Sequence, residues 1–476
     1  MMFRSLKWTG SGALATVVCT VLTGGAVTAG ATPMAATAAA QRVAAGAASS
    51  TAQLASSKNP ASTTLAFPGA LGWAATTPGG RGGKIIRVTT LAADGPGSFV
   101  AALETKGPRI VVFEVGGVID LQKRELKITE PFLTVAGQTA PSPGITLVRT
   151  GIDVATHDVV LQHIRVRTGA AGVGPRGHWE PDAFSTIAAQ NVIVDHCSMT
   201  WAIDENMSAS GPRFTGKTPD DWRNGTSHRI TFSNNIIAEG LAHASHMKGE
   251  HSKGSLIHDN VSDILIIGNL YAHNYERSPL LKGGVRATVL NNLIYDPGPR
   301  AVHYNLIPEE WNDHAYQNGQ LTLIGNVLRA GPSTPSPIAL FMIGGSGDIE
   351  LYEDDNIAVD RVGQPLPKLG RYTTSKAQIL PMGRPATLPP GVTLLPSIDV
   401  QDAVIRNAGA RPWDRDAVDA RIVADTIEGR GEIINNEEQV GGYPQYAETR
   451  SPFNEKDWDL GTMVPVKGFT GRNVPR

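Results

Sequence analysis

Charged residues that could do chemistry fall in three consecutive segments near the middle of the chain. They are three carboxylates followed by three cations: Asp182, Asp204, Glu205, Lys253, Arg277 and Lys282. Carboxylate oxygens from separate segments, without a cysteine or histidine array, favour Ca²⁺ over zinc. Like charges close together repel unless an anion lies between them, so a ligand that carries carboxylates and is bridged by calcium would satisfy both groups. Ordinary solvated loop charges are the alternative.

Histidines and a cysteine near these residues raise two other possibilities. "EGLAHASHMKGEHSKG" contains His243, His246 and His251, but their spacing fits no usual zinc pattern and "HEXXH" is absent. We therefore expect histidines at the surface or along a groove. Cys197 follows an apolar strand pattern and is expected to pack as a small apolar residue.

The elements that position these residues are predicted from an internal repeat. Six segments align without gaps: "VVLQHIRV", "VIVDHCSM", "ITFSNNII", "ILIIGNLY", "ATVLNNLI" and "LTLIGNVL". In each, an apolar run meets a polar residue at a corner, and these residues are His163, His196, Asn235, Asn269, Asn292 and Asn326. Separations of 23 to 39 residues indicate stacked strand–corner–strand units. The pattern predicts an all-β parallel β-helix; a propeller, the main competitor, needs more even repeats of about 40 residues.

The long connections of this coil should carry the chemistry, because loops on a β-helix form its functional surface. Three long connections, containing "GAAGVGPRGHWEPDAF", "WAIDENMSASGPRF" and "EGLAHASHMKGEHSKG", come directly before "HNYERSPLLKGG". Acidic and basic groups are therefore expected to meet on neighbouring turns.

The domain organisation is predicted from composition. Residues 1–31 begin with Arg4 and Lys7 and continue as an uncharged apolar run, which predicts a signal peptide and a secreted protein; a retained membrane anchor is the alternative. Residues 32–65 are rich in Ala, Ser and Thr and are expected to be a disordered linker. Residues 66–400 are assigned to the β-helix, with a short N-terminal helix capped by Ser98. Residues 401–476 are expected to be a C-terminal extension that packs on the coil.

Charge and cysteine content limit the partners. The net charge is −2, so the chain lacks the overall basic field expected of a nucleic-acid-binding protein. After cleavage of the signal peptide only Cys197 remains, which excludes an intramolecular disulfide. We expect a monomer that binds neither nucleic acid nor membrane.

Several segments resemble the core motifs of one family. "PDAFSTIAAQNVIVDHCSMTWAIDENMS", "RITFSNNIIAEGL" and "ERSPLLKGGVRATVLNNLIYD" are similar, in order, to those of the pectate lyase superfamily, polysaccharide lyase family 1. The resemblance covers most of residues 66 to 330. It implies a right-handed parallel β-helix and calcium-assisted β-elimination on 1,4-linked galacturonate polymers such as pectate.

The resemblance also implies roles for individual residues. Asp182 and Asp204 match calcium aspartates, and Lys253 matches a lysine that stabilises the substrate carboxylate. Arg277 matches the base that removes the C5 proton, and Lys282 the second cation of an R-x-P-x-x-R pattern. Arginine has a reference pKa of about 12.5, so the role requires neighbours such as Ca²⁺ and Lys282 to lower that pKa, and it predicts an alkaline optimum.

The chain departs from the family pattern at a few positions. Leu280 and Leu281 stand where an arginine often occurs, and Lys282 replaces the final arginine with a point charge. Glu205, adjacent to Asp204, is the candidate third metal ligand, and Ser208 stands where a further aspartate is expected. The polymer could therefore be another uronate.

Two rival functions share the fold. A polygalacturonase-type hydrolase needs close aspartates as acid and base, and the "NTD" and "GHG" signatures of that family are absent. A non-catalytic carbohydrate-binding β-helix would bind the polymer without cleaving it. Only a lyase creates a conjugated double bond that absorbs ultraviolet light.

Overall fold

A computed structural model describes residues 64–386 and 388–466. The predicted signal peptide, and all of the predicted linker except its last two residues, lie outside this range. Three sheets run along the described chain, and most strands pair in parallel with the strand three positions later in sequence. This pattern arises when each turn of a coil contributes one strand to every sheet. The predicted parallel β-helix is confirmed.

The first sheet has eleven strands and includes the first strand of the coil. They are β1 Lys84–Val88, β2 Arg109–Phe113, β5 Leu133–Ala136, β8 His157–Gln162, β11 Gln190–Asp195, β14 His228–Ser233, β17 Ser262–Ile267, β20 Arg286–Leu290, β23 Gly319–Ile324, β26 Ile349–Asp354 and β29 Ile379–Pro381.

The second sheet has nine strands and follows the long connections. They are β4 Leu126–Ile128, β7 Ile152–Val154, β10 Phe184–Ile187, β13 Ser208–Ser210, β16 Leu256–Ile257, β19 Leu280–Lys282, β22 Val302–Leu306, β25 Phe341–Gly345 and β28 Leu369–Arg371.

The third sheet has ten strands, nine of them from the coil. They are β3 Val115–Asp120, β6 Ile145–Val148, β9 Ile164–Arg167, β12 Ser198–Thr200, β15 Ile236–Ala238, β18 Leu270–Ala272, β21 Leu293–Tyr295, β24 Val327–Arg329 and β27 Ile357–Val359, with β30 Thr449–Arg450 antiparallel to β3. A small antiparallel pair, β31 Trp458–Asp459 and β32 Val464–Pro465, completes the strands described.

Five short helices accompany the coil. They are α1 Phe99–Glu104, α2 Pro219–Gly225, α3 Pro308–Trp311, α4 Ser397–Asn407 and α5 Ala417–Glu428, with 3₁₀ turns at Gly137–Thr139, Glu437–Val440 and Glu455–Asp457. The predicted cap of α1 is confirmed, because the Ser98 side chain accepts a hydrogen bond from the Ala101 amide. None of the helices in the described residues is long and apolar enough to cross a membrane.

The interior of the coil is a set of apolar columns. Inward-facing positions of consecutive turns are in register, so each apolar side chain packs on its counterpart one turn away. One such column is Val111, Val135, Leu161, Val194, Phe232, Ile266, Val289 and Leu323, all fully buried. Burial of apolar area at about 25 cal/mol per Å² makes these columns the main source of stability.

An asparagine ladder runs along one corner of the coil. It consists of Asn235, Asn269, Asn292, Asn326 and Asn356. In each step the side-chain oxygen of one asparagine accepts hydrogen bonds from the backbone and side-chain nitrogens of the preceding one. Asn269, for example, donates to Asn292 Oδ1 through these two nitrogens at 3.0 and 2.9 Å. The side-chain nitrogens also donate to backbone carbonyls. The ladder thus satisfies buried polar groups at each bend.

The two histidines of the repeat lie one position before this ladder, so their predicted placement in the same column is wrong. Strand register puts Cys197 opposite Asn235, and the Cys197 amide donates to the Asn235 side chain at 2.8 Å. His163 and His196 have positive φ angles, like Asn234. They belong to a separate column of residues at the bend, in which the backbone is in the left-handed conformation. Cys197 is fully buried, as expected of a packing residue, and burial raises the pKa of its thiol.

The C-terminal helices pack against the outer face of the ten-stranded sheet. Apolar residues of α4 and α5 join a buried cluster with side chains of that sheet. The contact includes a fully buried ion pair in which Arg167 lies 2.8 Å from Asp416 and 3.0 Å from Asp419. These carboxylates fix α5 to β9.

We predict that Asn292→Ala lowers the free energy of unfolding by about 3 kcal/mol or more. The substitution leaves the Asn269 backbone amide without an acceptor and removes one of the two acceptors of the Asn269 side-chain nitrogen, and each buried unsatisfied donor costs about 1–3 kcal/mol. The midpoint of denaturant unfolding measures this loss. Asn318→Ala, at an exposed position, is the control and should change stability by less than about 0.5 kcal/mol. Equal midpoints for the two variants would contradict a stabilising role for the ladder.

Candidate active site

The candidate site lies at the amino ends of neighbouring strands of the nine-stranded sheet. Asp182 comes two residues before β10, and Glu205 comes three residues before β13. Backbone bridges place Glu205 next to Lys253 and Lys253 next to Glu276 on consecutive turns. Arg277 follows Glu276 directly. The coil therefore brings residues from four separate connections to one edge.

Three carboxylates converge there. Ligand oxygens of Asp182, Asp204 and Glu205 all lie within 4.8 Å of one another. The Asp182 carboxylate accepts a hydrogen bond from the Glu205 amide at 2.9 Å and is also hydrogen-bonded by Ser208. An oxygen-only donor set of this kind fits the preference of Ca²⁺.

The two aspartates titrate in opposite directions. Burial, together with the neighbouring charges of Asp204 and Asp153, raises the pKa of Asp182 well above its usual value. Burial acts the same way on Asp204, but hydrogen bonds from His246 and His251 override it and hold the pKa of Asp204 below its usual range. Close carboxylates with such separated pKa values are typical of functional sites.

Of the three histidines of the third connection, which were expected at the surface or along a groove, His243 is exposed and the other two are not at the surface. His246 and His251 are buried, with ring centroids 3.8 Å apart, and His251 Nε2 lies 2.5 Å from an Asp204 carboxylate oxygen. His246 Nδ1 accepts the Lys248 amide proton, so the proton of the neutral ring is on Nε2, facing Asp204. A ligating histidine usually donates its other N–H instead. These rings therefore orient Asp204 better than they would bind zinc, and exposed His243 pairs elsewhere, with Glu250.

The cations of the site have protein partners, which the expectation of mutual repulsion did not include. Lys253 Nζ lies 2.5 Å from Glu276 Oε1, and Arg300 lies 2.6 Å from the other oxygen of the same carboxylate. Burial opposes ionisation of Glu276, but Lys253 and Arg300 lower its pKa to about 2. Glu276 thus holds Lys253 and Arg300 in place at the edge of the site.

Arg277 contacts the carboxylate cluster through an ion pair with Glu205. Its Nε has no hydrogen-bond partner among the described residues and lies 3.9 Å from Glu276 Oε1. Its φ angle is 68°, a conformation that non-glycine residues adopt mainly at constrained sites. Burial lowers the pKa of Arg277, although the charges of Asp204 and Asp182 oppose the shift.

Lys282 pairs with a carboxylate outside the cluster of Asp182, Asp204 and Glu205. Its ammonium forms a 2.5 Å ion pair with Glu310 of α3, and its side chain is buried. Burial of Arg277, rather than the charge of Lys282, is the main cause of the lowered arginine pKa.

Sequence reasoning missed two contributions to the site. Glu276 stands beside Arg277 in "NYERSP", but only the stacking of turns reveals its contact with Lys253. The buried pair of His246 and His251 depends on how the third connection folds back onto Asp204. Histidine spacing alone carries no signal for that.

Comparison with known proteins finds relatives that carry the same name. No family model matches the chain. Probable pectate lyase C of Neosartorya fischeri is 30% identical over 400 residues, which covers 83% of this chain and 85% of that protein. Probable pectate lyase C of Aspergillus terreus is 31% identical over 402 residues, covering 84% and 86%.

Solved structures are more distant. The major allergen from cedar pollen has a TM-score of 0.49 at 16% identity, covering 71% of this chain and 92% of that one. A pectate lyase bound to a hexasaccharide has a TM-score of 0.47 at 14% identity, covering 74% and 99%.

We predict that Glu276→Gln destabilises the protein by about 3 kcal/mol, because it leaves the buried Lys253 ammonium without a carboxylate. Denaturant unfolding measures the change. Glu104→Gln is the matched control, since the pair of Glu104 with Arg124 is exposed and should contribute less than about 1 kcal/mol. If both variants lost the same small amount, Glu276 would not be a structural partner of Lys253.

Proposed function

The chain belongs to the pectate lyase superfamily, polysaccharide lyase family 1, and from that membership we propose that it cleaves 1,4-linked polygalacturonate by β-elimination. The observation that carries the proposal is the contact between Arg277, a partly buried arginine with a lowered pKa, and a cluster of three carboxylates. A proton acceptor beside a site for a cation is what abstraction α to a carboxylate requires.

The reaction is a proton abstraction followed by loss of a leaving group. Arg277, in its neutral form, accepts the proton from C5 of a galacturonate unit. The electron pair of that C–H bond forms the C4–C5 double bond, and the bond from C4 to the glycosidic oxygen breaks. The oxygen leaves with the bonding pair and takes a proton from solvent. Both product chains therefore form without addition of water across the glycosidic bond.

Asp182, Asp204 and Glu205 would hold the calcium ion. When bound, Ca²⁺ withdraws electron density from the uronate carboxylate and makes the C5 proton more acidic. His246 and His251 keep the Asp204 carboxylate ionised and oriented toward the cluster. Ser208 hydrogen-bonds Asp182 and favours its charged form against burial.

The lysines have different assignments. Lys253, held by Glu276, is proposed to stabilise the substrate carboxylate as charge develops on it. Lys282 is proposed as a second, more distant substrate contact, in exchange with its partner Glu310. Because Lys282 is a point charge, it does not offer the bidentate contact of an arginine.

The setting of the enzyme is also a proposal. Two basic residues, Arg4 and Lys7, followed by an apolar run, support export of the protein. We propose that it acts extracellularly, as a monomer, on an acidic polysaccharide.

We predict that Arg277→Ala lowers kcat on polygalacturonate by at least about 100-fold, the usual contribution of a positioned base. Release of unsaturated product, followed by ultraviolet absorbance, measures the rate.

In the parent enzyme kcat should rise toward alkaline pH, because the neutral fraction of Arg277 increases with pH up to its pKa. Arg406→Ala, at an exposed helix position, should leave the rate unchanged. New reducing ends without ultraviolet absorbance would indicate a hydrolase, and an acidic optimum would contradict Arg277 as base.

We predict that chelation abolishes activity and that added Ca²⁺ restores it. Titration calorimetry should show that Asp182→Asn weakens Ca²⁺ binding by about tenfold or more, because the site loses a charged oxygen ligand. Asp94→Asn, an exposed carboxylate outside the site, should bind Ca²⁺ as the parent does. Full activity in the presence of chelator would overturn the assignment of the carboxylate cluster.

A further inference from the structure

A polar cleft lies on the outer face of the eleven-stranded sheet. Its volume is about 560 Å³, and it is lined by Trp73, strands β20 and β23, and the segment 382–386. Sites that bind small ligands have volumes of about 300–1,000 Å³. We name it the Trp73 cleft. Its lining contains none of the six residues assigned to the candidate active site.

The floor of the Trp73 cleft is polar and regular. Arg286 pairs in register with Gln320, and Thr288 pairs with Thr322 on the neighbouring strand. Alternate residues of a strand face the same side, so these four side chains project from one face of the sheet. Trp73 packs on the apolar cluster that covers the rest of that face and forms an apolar wall.

The lining of the Trp73 cleft carries a net positive charge, because it contains two arginines and one aspartate. The exposed side chains of Arg286 and Arg384 form no ion pair or side-chain hydrogen bond within residues 64–386 and 388–466. Asp263 is the one acidic residue that lines the cleft, and it makes no ion pair with either arginine. The charge of Arg286 also contributes, after burial, to lowering the pKa of Arg223. An anion is therefore the favoured ligand.

We propose that the Trp73 cleft binds a stretch of polygalacturonate without cleaving it; the identity of the polymer rests on the proposed function. Guanidinium groups bind carboxylates through paired hydrogen bonds, so Arg286 and Arg384 would contact uronate carboxylates. Trp73 offers an apolar surface to a sugar ring. The threonines face its hydroxyl groups, as does the side-chain oxygen of Gln320, whose side-chain nitrogen donates to Glu350 at 2.8 Å. A neutral glycan would leave both arginines without partners, and inorganic phosphate would not use the wall or the floor.

Binding at the Trp73 cleft is tested in the Arg277→Ala background, which prevents turnover, with chelator present to weaken calcium-dependent binding at the active site. Affinity electrophoresis in polygalacturonate measures the retardation of each variant. Adding Arg286→Ala and Arg384→Ala should weaken binding about tenfold or more, as expected for loss of two charge-assisted contacts. Arg361→Ala with Arg406→Ala removes the same charge from exposed positions elsewhere and should leave binding unchanged.

The ligand class is tested with other polymers. Fully methyl-esterified polygalacturonate should show little binding to the Arg277→Ala protein. Dextran sulfate should show no comparable dependence on Arg286 and Arg384, and an equal dependence would mean a general polyanion surface and overturn the proposal. An unchanged affinity of the Arg286→Ala, Arg384→Ala variant for polygalacturonate would also overturn it.

Failure of this site can be distinguished from failure of the proposed function. With Arg277 intact, Arg286→Ala together with Arg384→Ala should preserve kcat/KM on a short oligogalacturonate, because neither residue belongs to the candidate active site. If the parent enzyme released no unsaturated product but these substitutions still weakened polymer binding, the proposed lyase function would fail and the Trp73 cleft would stand.

Discussion

The parallel register between turns is the constraint on which the structure depends. Backbone hydrogen bonds hold neighbouring strands about 4.8 Å apart, so each side chain meets the residue at the same position one turn away. In the interior this produces apolar columns, since apolar side chains pack well on one another. At one corner it produces a ladder of asparagines. At the candidate site it places Glu205, Lys253 and Glu276 in one column of alternating charge.

The carboxylate cluster is the exception to this charge alternation. Elsewhere at the site each cation contacts a glutamate, but Asp182 and Asp204 lie close together, and the pKa of Asp182 is raised in consequence. A like-charged pair lowers stability unless something compensates, and such local conflicts are characteristic of functional positions. His246 and His251 preserve the repulsion between the two aspartates, because their hydrogen bonds keep the Asp204 carboxylate ionised.

The coil could be predicted from the sequence, and so could the edge at which the charged residues meet. Both depend on local patterns, namely alternating apolar strands and the lengths of the connections. The gap-free alignment already separates the histidines from the ladder: His163 and His196 stand at its fifth position, with Asn234, whereas Asn235 stands at the sixth with the other ladder residues. The prediction put the histidines in the wrong column because it matched them to Asn235 instead of its neighbour Asn234. Structure separates them: Asn234 has a left-handed backbone, and Asn235 belongs to the ladder. The partners of Lys253 and Lys282 depend on register and on the position of α3, which no local pattern encodes.

The proposed base and the proposed cation site depend on the same carboxylates. Asp204 and Asp182 favour the protonated form of Arg277 and so act against its role as base, while burial acts in favour of it. Glu205, which contacts Arg277 directly, belongs to the same cluster. Any ligand that neutralises these carboxylates reduces their attraction for the guanidinium proton and lowers the pKa of Arg277 further. Because such coupling between sites is reciprocal, deprotonation of Arg277 must strengthen binding of a cation at the cluster by the same factor. The cluster therefore links occupancy of the cation site to readiness of the base without any movement of the coil.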